Sequence, residues 1–202
     1  MARNVERQVL QDPPVARFLF GDTRVAWVWL LLRLYVGYSW IDASLHKLSS
    51  AGWMSDGSAL AGFWKGAVAA PDGKPVVAFD WYRSFLLMML NGGHYVWFAK
   101  LVAVGEFMIG LGLILGAFVG VAALFGAFMN WNFIMAGSAS TNGMLLVLAV
   151  LLVLAWKVAG YWGLDRFLLR AVGTPWAPGE LIQRANPGIL RPAPQSAPGV
   201  RT

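Results

Sequence analysis

The sequence predicts an all-α membrane protein, a four-transmembrane-helix bundle, on three observations. Of 202 residues, 58% are hydrophobic and only 13% charged, against about a quarter charged in a soluble domain. Apolar runs at about 25–48, 95–116, 119–136 and 143–162 come near or exceed the roughly 20 helical residues that cross a bilayer. The later runs are closely spaced: almost no loop separates the second from the third around Phe118, and GSASTNG at 137–143 turns the third into the fourth.

In chain order, residues 1–24 read as a cytoplasmic segment. Arg3, Arg7, Arg17 and Arg24 face a few acids, and Pro13–Pro14 precedes a short helix expected on the membrane surface. No A-x-A-like site follows the first apolar run, so that run is expected to remain as an anchor. Residues 25–170 form one membrane domain. The 49–94 segment is too long and aromatic for a plain connector. Ser58 is expected to cap a helix through Ala69, PDGKP at 71–75 to turn, and Asp80 to cap WYRSFLLMMLN, which Gly92–Gly93 ends. These helices are too short to span and are expected at the outer interface or as a re-entrant lid, with Trp53, Trp64, Trp81 and Tyr82 at headgroup level. Gly112, Gly116 and Gly120 recur every four residues, which places them on one helix face for close packing. Residues 171–202, rich in Pro and Ala, read as an extended or partner-bound tail. Basic residues concentrate in the two tails, so both termini are expected in the cytoplasm and the 49–94 and 137–143 connections outside.

Composition also excludes. Without cysteine there is no disulfide, thiolate metal site or iron–sulfur cluster in this chain, and with two histidines no self-contained haem or metal site is expected. The net charge of +6 sits largely in the tails and reports orientation rather than nucleic-acid binding.

Charges inside the apolar runs mark candidate functional residues, because an unpaired charge in lipid is costly. At about 1.5 Å per residue, Arg33, Glu106 and Lys157 fall at a similar inner depth. Asp42, His46 and Lys100, with His94 just before the second run, fall at an outer depth. Asp42 and His46 share a face at i,i+4. Asn130 and Asn132 lie between the layers and cannot both face inward. Tyr35, Tyr38, Trp40 and Trp131 are placed to stack on a planar ligand. A structural reading stands beside the functional one: an Arg33–Glu106 pair would lock two helices, Lys157 would snorkel to the headgroups, and His46 and Lys47 would be interfacial.

The blocks LRLYVGYSWIDASLHKL at 32–48, NGGHYVWFAKLVAVGE at 91–106, GAFMNWNFIMAGSASTN at 126–142 and AWKVAGYWGLDRFLL at 155–169 resemble the DoxX family of small four-helix membrane proteins. The resemblance covers roughly residues 25–170. It implies a bundle in the bacterial or archaeal cytoplasmic membrane. Relatives include a subunit of thiosulfate:quinone oxidoreductase, which works beside a second subunit absent from this chain; others are accessory subunits of redox assemblies. The implied function is a membrane subunit of a quinone-linked oxidoreductase, with thiosulfate or another small sulfur anion as donor. Quinone is then the cofactor, and other membrane or extracytoplasmic redox subunits are the partners. In that reading His46, His94 and Lys100 attract the anion and Asp42 orients His46 or Lys100. Arg33, Glu106 and Lys157, with Tyr38, Trp131 and Asn130, hold the quinone head and relay protons. The alternatives are a non-catalytic assembly subunit of a larger redox complex and a small-solute carrier. Against the carrier, the chain shows no inverted repeat and no broken-helix pair.

Overall fold

A computed structural model describes residues 12–70, 76–174 and 177–185; the expected PDGKP turn and the outermost parts of both tails lie outside these. The described chain is all-α apart from one two-stranded ribbon. Its elements are α1 Pro14–Gly21, a 3-10 turn Thr23–Val25, α2 Ala26–Leu48, α3 Ala51–Met54, α4 Ser58–Val68 and α5 Asp80–Asn91. They continue with α6 Tyr95–Leu115, α7 Val119–Met135, α8 Asn142–Leu154, α9 Trp156–Ala159, α10 Asp165–Val172, β1 Gly173–Thr174, β2 Ala177–Pro178 and α11 Glu180–Ala185.

Helices α2, α6, α7 and α8 form the bundle. The most extensive contacts join α2 to α6 and α7 to α8, and the two pairs close on one another through α6–α7 and α2–α8. Among the described residues α6 is long and apolar enough to cross a membrane, with 21 residues at a hydropathy of 2.0; α7 and α8 are apolar and shorter. The fourth expected span ends early, because Ala155 interrupts it and α9 continues as a separate turn. Helices α1, α9 and α10 gather at one end, the terminal end, and α3, α4 and α5 cover the other, the loop end.

Local chemistry sets the element boundaries. Pro14 opens α1, where its fixed φ suits the first turn and its missing N–H costs nothing. Asp22 accepts the Arg24 backbone N–H at 2.9 Å and pairs with its guanidinium at 2.6 Å, shaping the turn into α2. The Trp29 indole N–H then ties α2 back to Leu19 O at 2.8 Å. Asp56, not Ser58, serves the start of α4: its carboxylate accepts the Ser58 backbone N–H at 2.9 Å, a bond that holds the carboxyl below the usual carboxylate range. Asp80 lies inside the first turn of α5 and makes no cap hydrogen bond, so it helps only through the helix dipole. The tail beyond 171 is less extended than its composition suggests, since β1–β2 and α11 fold back near α10.

The α6–α7 connection carries the sharpest constraints. Gly116 ends α6 at φ +67° and Phe118 follows at φ +49°. Gly112, Gly116 and Gly120 therefore do not share a helix face: Gly112 meets Ala122, Gly116 lies in the turn, and Gly120 packs on Trp156. The free N–H groups at the start of α7 are satisfied by Asp165, whose carboxylate accepts those of Phe118 and Val119. Asp165→Asn keeps the volume but loses the charge and one acceptor oxygen. It is expected to cost about 2 kcal/mol, read as a lower midpoint in detergent unfolding.

Candidate functional site

The α2–α6 packing determines which charges meet. Gly37 and Gly110 mark the crossing: a Cβ on Gly110 would lie 2.9 Å from Gly37 O, and a Cβ on Gly37 would lie 3.2 Å from Gly110 O. Arg33 lies one turn from Gly37 toward the terminal end. Glu106 lies one turn from Gly110 toward the loop end, because the helices are antiparallel. The two are separated along the axes by about 11 Å, two helical turns. The expected Arg33–Glu106 pair is therefore not formed. Counting depth from the helix ends holds only where both helices start in one plane, whereas α2 runs well past the terminal end of α6.

Glu106 pairs instead with Lys47, whose Nζ donates to Glu106 Oε2 at 2.6 Å; the carboxylate side chain is 1% exposed and the lysine 18%. The Lys47 ammonium also lies 5.2 Å from the Trp53 ring centre and 5.8 Å from that of Phe133. Aromatic faces and a carboxylate thus enclose one cation, an arrangement that holds charge at low dielectric cost. Lys47 stands in the charged stretch of the first helix but at its end, where snorkelling to solvent is the simpler reading. Only its fold-back toward Glu106 brings it into the site.

This pair lines a crevice of about 510 Å³ between the loop-end halves of α2, α7 and α8, roofed by α3 and α4. Asn130, which is 0% exposed, lines it, and neither its Oδ1 nor its Nδ2 has a hydrogen-bond partner. Trp40 lines it too, and its buried Nε1 is likewise unpartnered. Tyr38 and Asp42 stand at the rim, Tyr38 being 66% exposed. Ser138, Thr141 and Asn142, from the α7–α8 turn, form the opposite rim.

Of the residues expected at the site, the structure brings together Glu106, Asp42, Tyr35, Tyr38, Trp40 and Asn130, and adds Lys47. The others lie elsewhere. Arg33, 1% exposed, sits at the terminal end. There its Nη2 donates to Trp162 O at 3.4 Å and it faces the charge of Asp165. That ties α2 to the segment between α9 and α10 through a backbone carbonyl rather than through an ion pair. Lys157 is exposed over the ring of its neighbour Trp156. Trp131 faces outward and stacks on Trp81 at 6.5 Å. His46 is exposed and 3.9 Å from Asp42, and the exposed His94 accepts from Trp97 Nε1 at 3.3 Å. Lys100 is exposed on α6. The three expected anion-attracting residues thus share no contact. Asn132 turns away from Asn130 and accepts from the Tyr82 hydroxyl. Among the described residues no group of histidines and acids is arranged to hold a metal ion.

Comparison with models of protein families, with curated proteins and with solved structures yields no match.

Proposed function

We propose that the chain is a multi-pass membrane subunit of a quinone-linked oxidoreductase, with the crevice around Lys47 and Glu106 as its quinone-head site. The observation that carries this reading is the buried side-chain amide of Asn130, unpartnered at both Nδ2 and Oδ1, in a crevice that a buried ion pair also lines. A buried polar group without a partner costs about 1–3 kcal/mol, and a ligand that accepts hydrogen bonds removes that cost. Quinone carbonyls are such acceptors, and the aromatic walls of Trp40, Trp53 and Phe133 suit a flat ring. The donor class, thiosulfate or another small sulfur anion, follows from the resemblance to the DoxX family.

The bilayer placement is supported by the outer faces of the bundle. Leu31, Leu34, Leu101, Met108, Leu124, Phe125, Val147 and Val150 are exposed on the four long helices, a surface too apolar and continuous for water. In this reading four crossings return both ends of the bundle domain to one side, the arginines of α1 and α10 favour the cytoplasm for that side, and the bacterial or archaeal membrane follows from the resemblance to the DoxX family.

When bound, quinone supplies the redox chemistry, taking up two electrons and two protons. The chain's part is to orient the ring through Asn130 and Trp40, exclude water behind Trp53 and Phe133, and hold a proton at the Glu106 carboxylate. The Lys47 ammonium balances that carboxylate after the proton leaves, and Asp42 at the rim is placed to replace it from the loop-end side.

Variants can separate the site from its scaffold. Glu106→Gln is expected to lower quinone reduction in proteoliposomes by about 10²-fold or more, while Arg170→Gln on exposed α10 leaves it unchanged. Asn130→Leu is expected to raise stability by about 1 kcal/mol or more and to weaken quinone binding. Unchanged turnover in Glu106→Gln, or quinone binding indifferent to Asn130→Leu, would refute the assignment. An assembly subunit, the alternative that the exposed Trp81–Trp131 stack favours, would instead co-purify with redox proteins and bind no quinone.

A further inference from the structure

The crevice adjoins a second space of opposite character. A groove of about 780 Å³ runs between α6 and α7 beneath α4 and α5. From Phe98 to Leu115 it follows α6 for about 25 Å. Polar groups in it are already served: the Tyr82 hydroxyl donates to Asn132 O at 3.1 Å and contacts Asn132 Oδ1 at 3.2 Å, and Asn132 Nδ2 donates to Phe128 O at 2.8 Å. The crevice holds unpartnered polar atoms; the groove offers apolar walls.

Neighbouring residues divide the two spaces. Gly105 lines the groove and Glu106 the crevice; Met129 lines the groove and Asn130 the crevice. Phe63 and Phe133 line both, their rings edge to face with centres 6.4 Å apart. The groove also opens outward, since Leu101, Met108, Val121 and Phe125 along it are exposed.

We infer that the ligand of the crevice is an amphiphile drawn from the lipid phase, its head beside Lys47 and Asn130 and its apolar tail threaded past Phe63 and Phe133 into the α6–α7 groove. This rests on the quinone reading and narrows it to long-tailed, membrane-dissolved quinones. Phe63 and Phe133 are the boundary common to both spaces, and that adjacency commits the groove to the tail of the ligand proposed for the crevice, which crosses by turning the ring pair aside, rather than to an unrelated lipid chain.

Gly105 provides the probe. A Cβ there would meet only Met129 Sδ, at 3.9 Å, so a side chain can be built into the groove without moving backbone. The full chain in lipid nanodiscs is titrated with a decyl-substituted benzoquinone and with its tail-less parent, following quenching of tryptophan fluorescence. Gly105→Phe is expected to weaken binding of the decyl compound about tenfold and to leave the parent within about twofold. Retained parent binding reports that the variant is folded. Should Gly105→Phe not fold, Met108→Trp at the exposed groove mouth is expected to give the same split. Equal losses for the two quinones, or no loss for either, would overturn the tail assignment and leave the head site standing. A phospholipid chain held in the groove and not displaced by the decyl compound would overturn it as well. Wild-type protein that binds neither quinone would overturn the quinone reading itself, and this inference with it.

Discussion

Lys47→Met is expected to destabilise the folded protein by about 3–5 kcal/mol, because it strands the Glu106 carboxylate in the bundle without its counter-charge. The pair is 2.6 Å long and its acid 1% exposed, so neither solvent nor another described cation within ion-pair distance can take over. The double variant Lys47→Met, Glu106→Leu is expected to recover most of that loss, since an apolar pair of similar volume carries no desolvation cost. Unfolding midpoints of the wild type, both single variants and the double variant give the coupling directly. Losses that simply add would refute the pairing. Recovered stability without recovered quinone reduction would separate what the pair does for the fold from what it does in the crevice. The proposed function requires that outcome.

Gly116→Ala is expected to prevent accumulation of folded protein. Gly116 sits at φ +67°, and a Cβ there would overlap Arg33 Nη1 and approach Gly163 Cα at 2.8 Å. The guanidinium is itself confined by Gly163, where a Cβ would lie 2.5 Å from the same Nη1. Gly93 provides a matched control. It has nearly the same backbone conformation, φ +66°, with nothing within 4 Å of the place a methyl would occupy. Gly93→Ala should therefore show only the conformational cost, about 1–2 kcal/mol. The gap between the two variants in detergent-solubilised yield and midpoint measures the packing of Arg33 and Gly163 around Gly116. Similar behaviour of the two would mean that the guanidinium has room to move.

The resulting division of labour along α2 differs from the two-layer arrangement that the residue spacing suggests. Arg33 belongs to a structural knot at the terminal end, in which Asp165 serves the start of α7 and Leu164 and Asp165 donate backbone bonds to Leu115 O and Gly116 O. The loop-end half of α2 carries the crevice through Trp40, Asp42 and Lys47. Spacing alone could place each charge at a height on its own helix. It could not state how far one helix slides along the next, and that offset exchanged the partner of Glu106.

Much was legible without that offset. The lengths of the apolar runs determined the helical class and nearly every boundary of α2, α6 and α7, because main-chain hydrogen bonding and side-chain periodicity are local. Polar side chains inside apolar runs marked Glu106 and Asn130 as residues to explain, since the cost of an unpaired polar group is a property of the residue itself. What only the tertiary structure decided was pairing: Lys47 with Glu106, Arg33 with the Trp162 carbonyl, Asn132 with Tyr82, and the scattering of His46, His94 and Lys100 over the surface. The physical reason is that pairing depends on the axial offset and rotation of packed helices. Close glycine contacts such as Gly37 against Gly110 set these, and they bring together residues far apart in the chain.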